Sequence, residues 1–332
     1  MTLRKALFIG EPKNIKRVYS SAALERLRQW LTFPDEPLRL QEATSDSRLQ
    51  EMEILLTTWG SPRYDETFLQ LTPRLKAVFY GAGSIRNLVS ESFWERKIPI
   101  VSAYAANAIP VVHFTQACII FALKNAFPIA RHFSAQRGEY RERPPCPGVM
   151  GGRVGLISLG TIARQLIPVL HTLGVEVVAS DPFVSHEEAR QLGVELMDLE
   201  TLFKTCEVVS LHTPLLPETQ GMITGRHLAE MPPHSTFINT ARGAVVREGE
   251  MVDVLRQRPD LQVFLDVTFP EPPEKDSPLY DLPNVFLTPH IAGSIGRECF
   301  RMGDLIADEV ERFIKGEPLQ WSVTREQAQR MA

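Results

Sequence analysis

Short apolar runs alternate with longer amphipathic segments along most of the chain. Each run is rich in Val, Ile, Leu and Phe, a composition that suits strands buried on both faces of a parallel sheet. The segments between the runs are long enough for helices, so the alternation predicts repeated βαβ units and an α/β fold. The predicted strands are KALFIG, EILLTTW, LKAVFY and IPIVSA in the N-terminal part, and RVGLIS, VEVVAS, EVVSLH, STFINT, QVFLDV and VFLTPH from residue 153 onwards.

Two further apolar segments predict helices. The run IPVVHFTQACIIFAL at 109–123 contains polar residues and is shorter than the roughly 20 apolar residues of a membrane helix, so we expect a helix buried in the protein. Near the C-terminus, GDLIADEVERFIKGEP predicts an amphipathic helix that ends at Gly316. The polar, proline-rich stretch within 131–148 predicts an exposed connection. The apolar face of the C-terminal helix consists of Leu305, Ile306, Val310 and Phe313.

Composition limits the class of protein. A chain of 332 residues predicts two domains. Its net charge of −4 argues against a nucleic-acid partner, and no span suits a membrane helix. The four cysteines form no C-x-x-C pair, which predicts buried free thiols rather than disulfides or a metal site. The apolar run ALFIG near the N-terminus is too short for a signal peptide. We therefore expect a cytoplasmic protein.

Polar residues follow several of the predicted strands directly. Ser180 and Asp181 follow VEVVA, and the segment 239–243 follows STFI. His212, Thr213 and Pro214 come after EVVSL. Ligands of open α/β sheets bind at the carboxyl ends of the strands, so the pattern places a binding site at that edge.

The segment VGLISLGTIAR at 154–164 has the layout of a dinucleotide-binding loop. The three positions of the G-x-G-x-x-G/A pattern hold Ser158, Gly160 and Ala163. Gly160 stands where a side chain would collide with a pyrophosphate, and alanine is an accepted third residue. Serine at the first position reaches a positive φ only with strain. The turn is compatible with serine if Ser158 keeps a negative φ, and a weaker or altered pyrophosphate contact is left open. An ordinary βα turn is the alternative.

An acidic residue follows at the distance that a dinucleotide site requires. Asp181 lies 181 − 160 = 21 residues after Gly160, at the end of the next predicted strand. A carboxylate there accepts hydrogen bonds from ribose hydroxyls and repels a 2′-phosphate. The sequence therefore predicts NAD as the cofactor, with NADP disfavoured.

Five stretches together resemble the D-isomer-specific 2-hydroxyacid dehydrogenases. They are the loop at 154–164, HTPLLPETQGMI (212–223), FINTARGAVV (237–246), FLDVTFPEPPEKDSPLYDLPNV (264–285) and FLTPHIAGS (286–294). The resemblance extends from about residue 50 to about residue 315. It implies two Rossmann-like domains with parallel sheets, in which a NAD-binding domain (107–297) is inserted into a flavodoxin-like substrate domain (1–106 and 298–332). It also implies a cleft between the domains and a homodimer, with the 109–123 helix at its interface.

The resemblance places three catalytic side chains. The family's arginine falls on Arg242, its glutamate on Glu271 and its histidine on His290. Oxidation of a 2-hydroxy acid sends a hydride to the nicotinamide and a proton to a base, and histidine suits that base. Glu271 would orient and tune His290, and Arg242 would bind the carboxylate and carbonyl of the substrate. Taken singly, each has an alternative without catalysis. Arg242 could be a surface cation, Glu271 a loop charge and His290 a structural histidine.

Further site residues follow from the resemblance, except Trp59, which is suggested by its place at the end of a predicted strand. The backbone of Gly81, Ala82 and Gly83 is expected to bind the substrate carboxylate, and Trp59 is expected either to line the substrate pocket or to belong to the core. Asp266 falls near the nicotinamide carboxamide, with a strand-end cap as the alternative, and 212–214 falls along the cofactor, with an ordinary turn as the alternative. The full predicted cofactor set is Ser158, Gly160, Thr161, Ile162, Asp181, His212, Thr213, Pro214, Thr219, Thr240, Ala241, Asp266, His290 and Gly293.

The chain departs from the family pattern in three places. Ser158 replaces a glycine, His113 stands where a glutamate is usual, and Arg247 replaces a common aspartate. None belongs to the predicted catalytic set. The predicted function is interconversion of a small D-2-hydroxy acid and its 2-keto acid. The alternative is a NAD-sensing binding protein, because the C-terminal-binding-protein corepressors resemble the same family.

Overall fold

The computed structural model describes residues 3–43, 46–137 and 145–331. They form two compact units. Unit 1 consists of Met1–Ala108 and Ser294–Met331, and unit 2 is the intervening Ile109–Gly293. The domain boundaries predicted from the sequence lie at 106/107 and 297/298, within a few residues of the boundaries between the two units.

Twelve strands are present in the described residues. In chain order they are β1 (Arg4–Ile9), β2 (Leu31–Thr32), β3 (Ile54–Thr57), β4 (Ala77–Tyr80), β5 (Ile100–Ser102), β6 (Arg153–Ile157), β7 (Glu176–Ser180), β8 (Glu195–Leu196), β9 (Val208–Leu211), β10 (Thr236–Asn239), β11 (Gln262–Leu265) and β12 (Val285–Leu287). All ten strands predicted from the apolar runs are confirmed. β2 and β8 were missed, because two residues each are too few to show a pattern.

Thirteen α-helices connect or cover the strands in the described part of the chain. They are α1 (Pro12–Val18), α2 (Ser21–Arg28), α3 (Glu66–Leu71), α4 (Glu91–Glu95), α5 (Tyr104–Leu123), α6 (Ala126–Ala135), α7 (Thr161–Thr172), α8 (His186–Gln191), α9 (Leu199–Thr205), α10 (Gly225–Ala229), α11 (Glu248–Gln257), α12 (Phe300–Lys315) and α13 (Arg325–Gln329). Short 3-10 helices occur at Leu40–Glu42, Ser47–Glu51, Gly243–Val245, Pro278–Tyr280 and Gly296–Cys299.

Unit 1 contains a parallel sheet in the order β2-β1-β3-β4-β5, the flavodoxin-like order. Alternate residues of its strands feed two different cores. Phe8 lies in the cluster that α12 completes with Ile306 and Val310, whereas Leu7 and Ile9 lie in the cluster on the other face. This burial of both faces explains the uninterrupted apolar runs. The predicted C-terminal helix is confirmed as α12, with Gly316 following it at φ 73°.

Unit 2 contains a seven-stranded parallel sheet in the order β12-β11-β10-β9-β6-β7-β8. Leu156 faces the core completed by α5 and α7, and Ile157 faces the core completed by α9 and α11. The chain runs from β6 outwards through β7 and β8, then returns to place β9 on the other side of β6. The carboxyl ends of β6 and β9 therefore form the topological switch point where such sheets bind ligands.

The long apolar helix is confirmed as α5, which begins five residues earlier than predicted. Among the described residues it is the one helix long and apolar enough to span a membrane, and 56% of its most apolar window is buried inside the protein. Part of the predicted exposed connection at 131–148 belongs to α6, and its residues 138–144 lie outside the described residues. Of the cysteines, Cys118, Cys206 and Cys299 are buried free thiols, but Cys146 is exposed, so that prediction was wrong for one of the four.

Candidate active site

The loop after β6 adopts the strained conformation at its first fingerprint position. Ser158 has φ 71°, in the left-handed region that favours glycine. The negative φ that would have spared the turn this strain is therefore not adopted. Two contacts hold the residue: its N–H donates to Ser180 O at 2.9 Å, and its Oγ lies 2.8 Å from Thr213 Oγ1. The loop keeps the turn geometry of a glycine, and a hydrogen bond across the switch point supports it.

The rest of this loop has room for an anionic group. Gly160 is the N-cap of α7, and no side chain caps the first turn of that helix. The first backbone N–H groups of a helix lack partners within the helix and attract anions, so Thr161 and Ile162 present such groups here. A Cβ built on Gly160 would meet no heavy atom within 4 Å. These features fit the pyrophosphate of a dinucleotide.

Asp181 lies at the end of β7, beside this loop. Its Oδ2 accepts from Leu159 N at 2.7 Å, and its Oδ1 accepts from Phe183 N at 2.8 Å. Each carboxylate oxygen has a further lone pair that can accept from a hydroxyl. The residue therefore supports the loop and still presents a negative charge at the strand end.

The segment after β9 lies on the other side of the switch point. His212 donates its N–H to Ile157 O at 2.9 Å, and burial lowers the pKa of its ring to about 4. The neutral ring lies 3.1 Å from Ser210 Oγ through Nε2. Thr219 accepts from Leu216 N at 2.8 Å and donates to Pro214 O at 2.6 Å. Thr219 thus holds the 212–219 loop in shape.

The turn after β10 carries the predicted arginine. Arg242 is half-buried, and this desolvation lowers the pKa of its guanidinium although the charge of Glu271 opposes the shift. Its Nη1 donates to Ala241 O at 2.6 Å, and the neighbouring Thr240 lies 3.2 Å from Thr115 between hydroxyl oxygens. A Cβ built on Gly243 would lie 2.0 Å from Thr268 C, so only glycine fits after the arginine.

The predicted histidine and glutamate form a pair in unit 2. His290 Nδ1 lies 2.6 Å from Glu271 Oε1, and the two side chains are 48% and 41% exposed. The contact fixes the plane of the imidazole ring and leaves Nε2 for other partners. A cavity of about 600 Å³ borders both residues, with Pro272, Leu279, Tyr280 and Leu287 among its walls. The pair therefore borders open volume accessible to a small molecule.

Asp266 holds the loop that carries the histidine. His290 has φ 53°, a second non-glycine residue in the left-handed region. The carboxylate of Asp266, 3% exposed, accepts from Thr288 Oγ1 at 2.6 Å, Ile291 N at 2.8 Å and Ala292 N at 2.9 Å. Its backbone O also accepts from His290 N at 2.9 Å. These contacts match the second role that the sequence offered for Asp266, a cap at the end of a strand, rather than a contact with the cofactor.

Comparisons with known proteins decide the family. Residues 117–292, more than half of the chain, match the D-isomer specific 2-hydroxyacid dehydrogenase NAD binding domain. The chain belongs to this family. The (S)-sulfolactate dehydrogenase of Chromohalobacter salexigens is 33% identical over 75% of this chain and 81% of its own.

Other relatives are matched over less of their length. The D-3-phosphoglycerate dehydrogenase of Methanocaldococcus jannaschii is 29% identical, over 81% of this chain and 51% of that protein. The chain thus spans about half the length of the first curated relatives that it matches. Among solved structures, a phosphoglycerate oxidoreductase from Rhizobium etli superposes with a TM-score of 0.82 at 17% identity, covering 97% of this chain and 99% of that one. The TT0316 protein of Thermus thermophilus superposes with a TM-score of 0.74 at 25% identity, over 96% and 100%. These superpositions confirm the predicted fold.

The predicted carboxylate-binding loop lies in unit 1 after β4. The N–H of Gly81 donates to Thr57 O at 2.8 Å, so it is already engaged. Ala82 and Gly83 have no recorded partner for their N–H groups in the part of the chain that the structure describes. This narrows the predicted backbone anion site to those two residues. Trp59, after β3, is half-buried and packs against both cores of unit 1.

Sequence reasoning missed residues that act through others. Glu248, at the start of α11, accepts from Phe269 N at 3.1 Å, and half-burial raises the pKa of its carboxyl. It therefore positions the segment leading to Glu271. Of the departures from the family pattern, His113 is exposed on α5, and Arg247 donates to Gly221 O at 2.9 Å. Nothing in the sequence indicated the contact between Glu248 and Phe269, because the two residues lie 21 positions apart.

Proposed function

We propose that this chain interconverts a small D-2-hydroxy acid and its 2-keto acid by hydride transfer with NAD, and that His290 is the acid/base. The observation that carries the proposal is the His290–Glu271 contact of 2.6 Å, in the unit that also contains the half-buried Arg242 and the loop around Gly160. Family membership supports the reaction class.

Each side chain has a distinct task in this proposal. The Arg242 guanidinium binds the carboxylate and the carbonyl oxygen of the keto acid through its planar fork. His290 donates its Nε2 proton to that oxygen during reduction and accepts it back during oxidation. Glu271 holds the ring through Nδ1, which leaves Nε2 for the substrate oxygen. When bound, the reduced nicotinamide supplies the hydride that adds to C2.

The cofactor residues fit a dinucleotide with an unmodified ribose. Gly160 and the first turn of α7 would hold the pyrophosphate, and Asp181 would bind the ribose hydroxyls and repel a 2′-phosphate. Structural relatives have been solved with either cofactor, a Lactobacillus delbrueckii enzyme with NAD and a Rhizobium etli protein with NADP. The preference for NAD therefore rests on Asp181.

The proposal includes a cytoplasmic homodimer formed through α5, with no nucleic-acid or membrane partner. Phe121 on α5 is 49% exposed and packs against Phe127 with 5.4 Å between ring centroids. A second copy covering this aromatic face would remove it from water. Light scattering of the wild type and of Phe121→Glu tests this: a monomeric wild type would contradict it.

Turnover of 2-keto acids tests the function directly. The relatives' names point to glycerate, phosphoglycerate and sulfolactate, so the panel contains hydroxypyruvate, 3-phosphohydroxypyruvate and 3-sulfopyruvate, with glyoxylate and pyruvate. NADH and NADPH oxidation are followed by absorbance. We expect turnover with NADH; NADH binding without turnover of any acid would favour the NAD-sensing alternative.

The role of His290 is tested by His290→Ala. Loss of a general acid typically lowers the rate by about 10²–10⁴-fold, while NADH binding by fluorescence titration should be retained. His132→Ala is the matched control, because it removes an exposed histidine from α6, outside the proposed dimer helix α5. Retained turnover in His290→Ala would refute the assignment.

A further inference from the structure

A cation with an unneutralised charge lies in unit 1, among the loops at the carboxyl end of its sheet. Arg17, near the end of α1, is exposed, and its Cζ lies 4.9 Å from the centroid of the Trp59 ring. Trp59 is itself held through its backbone O, which accepts from Asn14 Nδ2 at 3.0 Å. The guanidinium is therefore supported by an aromatic face at a strand end, an arrangement that strengthens as water is excluded.

The other contacts of Arg17 are with neutral groups. Its Nη2 donates to Ser294 O at 3.2 Å, and its Nε donates to Cys299 Sγ at 3.3 Å. Within residues 3–43, 46–137 and 145–331, no acidic side chain is recorded as its partner. Since a guanidinium carries five N–H groups, three remain for a further ligand. The geometry orients the cation but leaves its charge and most of its donors available.

Two series of contacts connect Arg17 to the predicted carboxylate-binding loop. On one side, a Cβ at Gly81 would lie 2.8 Å from Tyr19 Oη and 3.0 Å from Val18 Cγ1, so this glycine touches the residues that directly follow Arg17. On the other side, Ser294 N donates to Asn107 Oδ1 at 3.1 Å, and Asn107 Nδ2 lies 3.6 Å from the Cβ position of Gly83.

The group next to Arg17 also contains an unsatisfied polar atom. Ser294 is 4% exposed, and its Oγ has no hydrogen-bond partner among the residues that the structure describes. A buried hydroxyl without a partner is uncommon in a folded protein and often marks a place where a water or ligand completes the contacts. Arg17, Trp59 and Ser294 thus combine charge, an aromatic face and a free hydroxyl beside the loop of Ala82 and Gly83.

We infer that Arg17 and Trp59 select substrates that carry a second anionic group, a carboxylate, sulfonate or phosphate, in addition to the 2-keto carboxylate. The inference rests on the proposed function for the reacting end of the substrate. The planar fork of arginine binds two oxygens of such a group, and the aromatic face of Trp59 limits hydration of the resulting ion pair. An uncharged end would leave the guanidinium without its ligand.

A matched pair of substrates tests this directly. Hydroxypyruvate and 3-phosphohydroxypyruvate differ only by the phosphate, and pyruvate and oxaloacetate differ only by the second carboxylate. We expect the wild type to favour the doubly anionic member of at least one pair, which also identifies the anion. In Arg17→Gln, the ratio of kcat/KM for that pair should fall about tenfold to hundredfold. In Arg17→Lys, which keeps the positive charge but lacks the planar fork, this ratio should fall less.

The control variant is Lys16→Gln, which removes the adjacent exposed cation and changes the net charge equally. Lys16→Gln should leave the ratio within about twofold of the wild-type value, because the contact with Trp59 is made by Arg17 and not by Lys16. Thermal unfolding confirms that each variant is folded. An equal fall for both members of each pair in Arg17→Gln would show a structural role only and overturn the inference, as would a wild type that prefers the singly charged acids.

Failure of the proposed function gives a different result. If the wild type turns over none of the acids, the proposed reaction is wrong, and calorimetric titration with the same pairs still tests the site. Tighter binding of the doubly anionic acid that is lost in Arg17→Gln but retained in Lys16→Gln would support the inference. Equal affinities across each pair would overturn it.

Discussion

Two loops of unit 2 solve the same conformational problem with different numbers of contacts. Ser158 follows β6 at φ 71°, and His290 follows β12 at φ 53°. In each loop a non-glycine residue occupies the left-handed region, at a cost of about 1–2 kcal/mol. In each, an aspartate at the end of the neighbouring strand accepts a hydrogen bond from the loop backbone: Asp181 after β7 and Asp266 after β11.

The difference lies in how completely each loop is fixed. The buried carboxylate of Asp266 accepts three hydrogen bonds from the loop of His290, and its backbone O accepts a fourth. The half-buried Asp181 accepts one from the loop of Ser158, through Leu159 N. A strained residue persists when its surroundings over-determine it. Asp266 therefore supports the loop of His290 more completely than Asp181 supports the loop of Ser158, which also depends on the contacts of Ser158 with Ser180 O and Thr213 Oγ1. We expect the loop of Ser158 to gain order when it binds its ligand.

The largest effect is expected from Asp266→Asn. An amide retains one acceptor oxygen and turns an NH₂ group towards backbone N–H donors, so at least one buried donor loses its partner. We expect the unfolding free energy to fall by about 2–3 kcal/mol and kcat/KM to fall on the order of 100-fold. Denaturant unfolding and steady-state kinetics measure the two.

Asp276→Asn is the control for Asp266→Asn, because it makes the same change at an exposed position in the loop before β12. It should alter neither quantity measurably. A stability loss in Asp266→Asn no larger than in Asp181→Asn would break the comparison between the two loops.

The next effect is a pH dependence of stability that comes from His212, the residue that follows β9. Burial lowers the pKa of His212 from 6.5 to about 4. The folded state therefore favours the neutral ring, and its contribution to stability is complete above pH 6.5. As the pH falls from 6.5 to 4 the unfolded chain gains a proton that the folded chain does not, so stability declines by up to about 3 kcal/mol.

This decline is measured by denaturant unfolding at intervals between pH 7 and pH 4. His212→Gln should remove most of it, because glutamine does not titrate. His132→Gln serves as the control, since His132 lies in α6, a helix with no buried residues. An unchanged slope in His212→Gln would show that other groups cause the acid sensitivity.

Much of this architecture could be predicted because parallel strands buried on both faces leave a strong local signal. Leu156 and Ile157 enter different cores, so both must be apolar, and the run is visible without knowledge of its neighbours. β8 consists of the half-polar Glu195–Leu196 at the sheet edge and carries no such signal. The predicted fold is confirmed for this reason, and only marginal strands were missed.

The site could be predicted less completely, because its contacts join distant positions. The sequence offered two roles for Asp266, and only the folded chain shows the hydrogen bonds to Ile291 and Ala292. The φ of Ser158 stayed open in the sequence, because the support from Thr213 comes from another strand, 55 residues away. The roles of Arg242, Glu271 and His290 in catalysis stay predictions that His290→Ala and its control address.

A smaller effect is expected from Asp181→Asn. The variant loses the charge that repels a 2′-phosphate and weakens acceptance from Leu159 N. We expect the Kd for NADH to rise about tenfold and that for NADPH to fall, with less than about 1 kcal/mol of lost stability. Fluorescence titration with both cofactors measures this. An unchanged ratio of the two affinities would mean that Asp181 serves the loop backbone alone.

The smallest effect belongs to Ser158, where two contributions oppose each other. Ser158→Gly relieves about 1 kcal/mol of left-handed strain but removes the hydroxyl contact with Thr213, which contributes about 1 kcal/mol. Its stability and its Kd for NADH should therefore stay close to the wild-type values. Ser158→Ala keeps the strain and loses the contact, so it should be less stable than Ser158→Gly by about 1 kcal/mol. Unfolding free energies and NADH titrations of the two variants, compared with each other, separate strain from hydrogen bonding. If Ser158→Gly instead binds NADH tenfold more tightly than the wild type, the serine weakens cofactor binding. The loop of Ser158 would then carry a cost in ligand affinity, in addition to receiving fewer hydrogen bonds from its aspartate than the loop of His290.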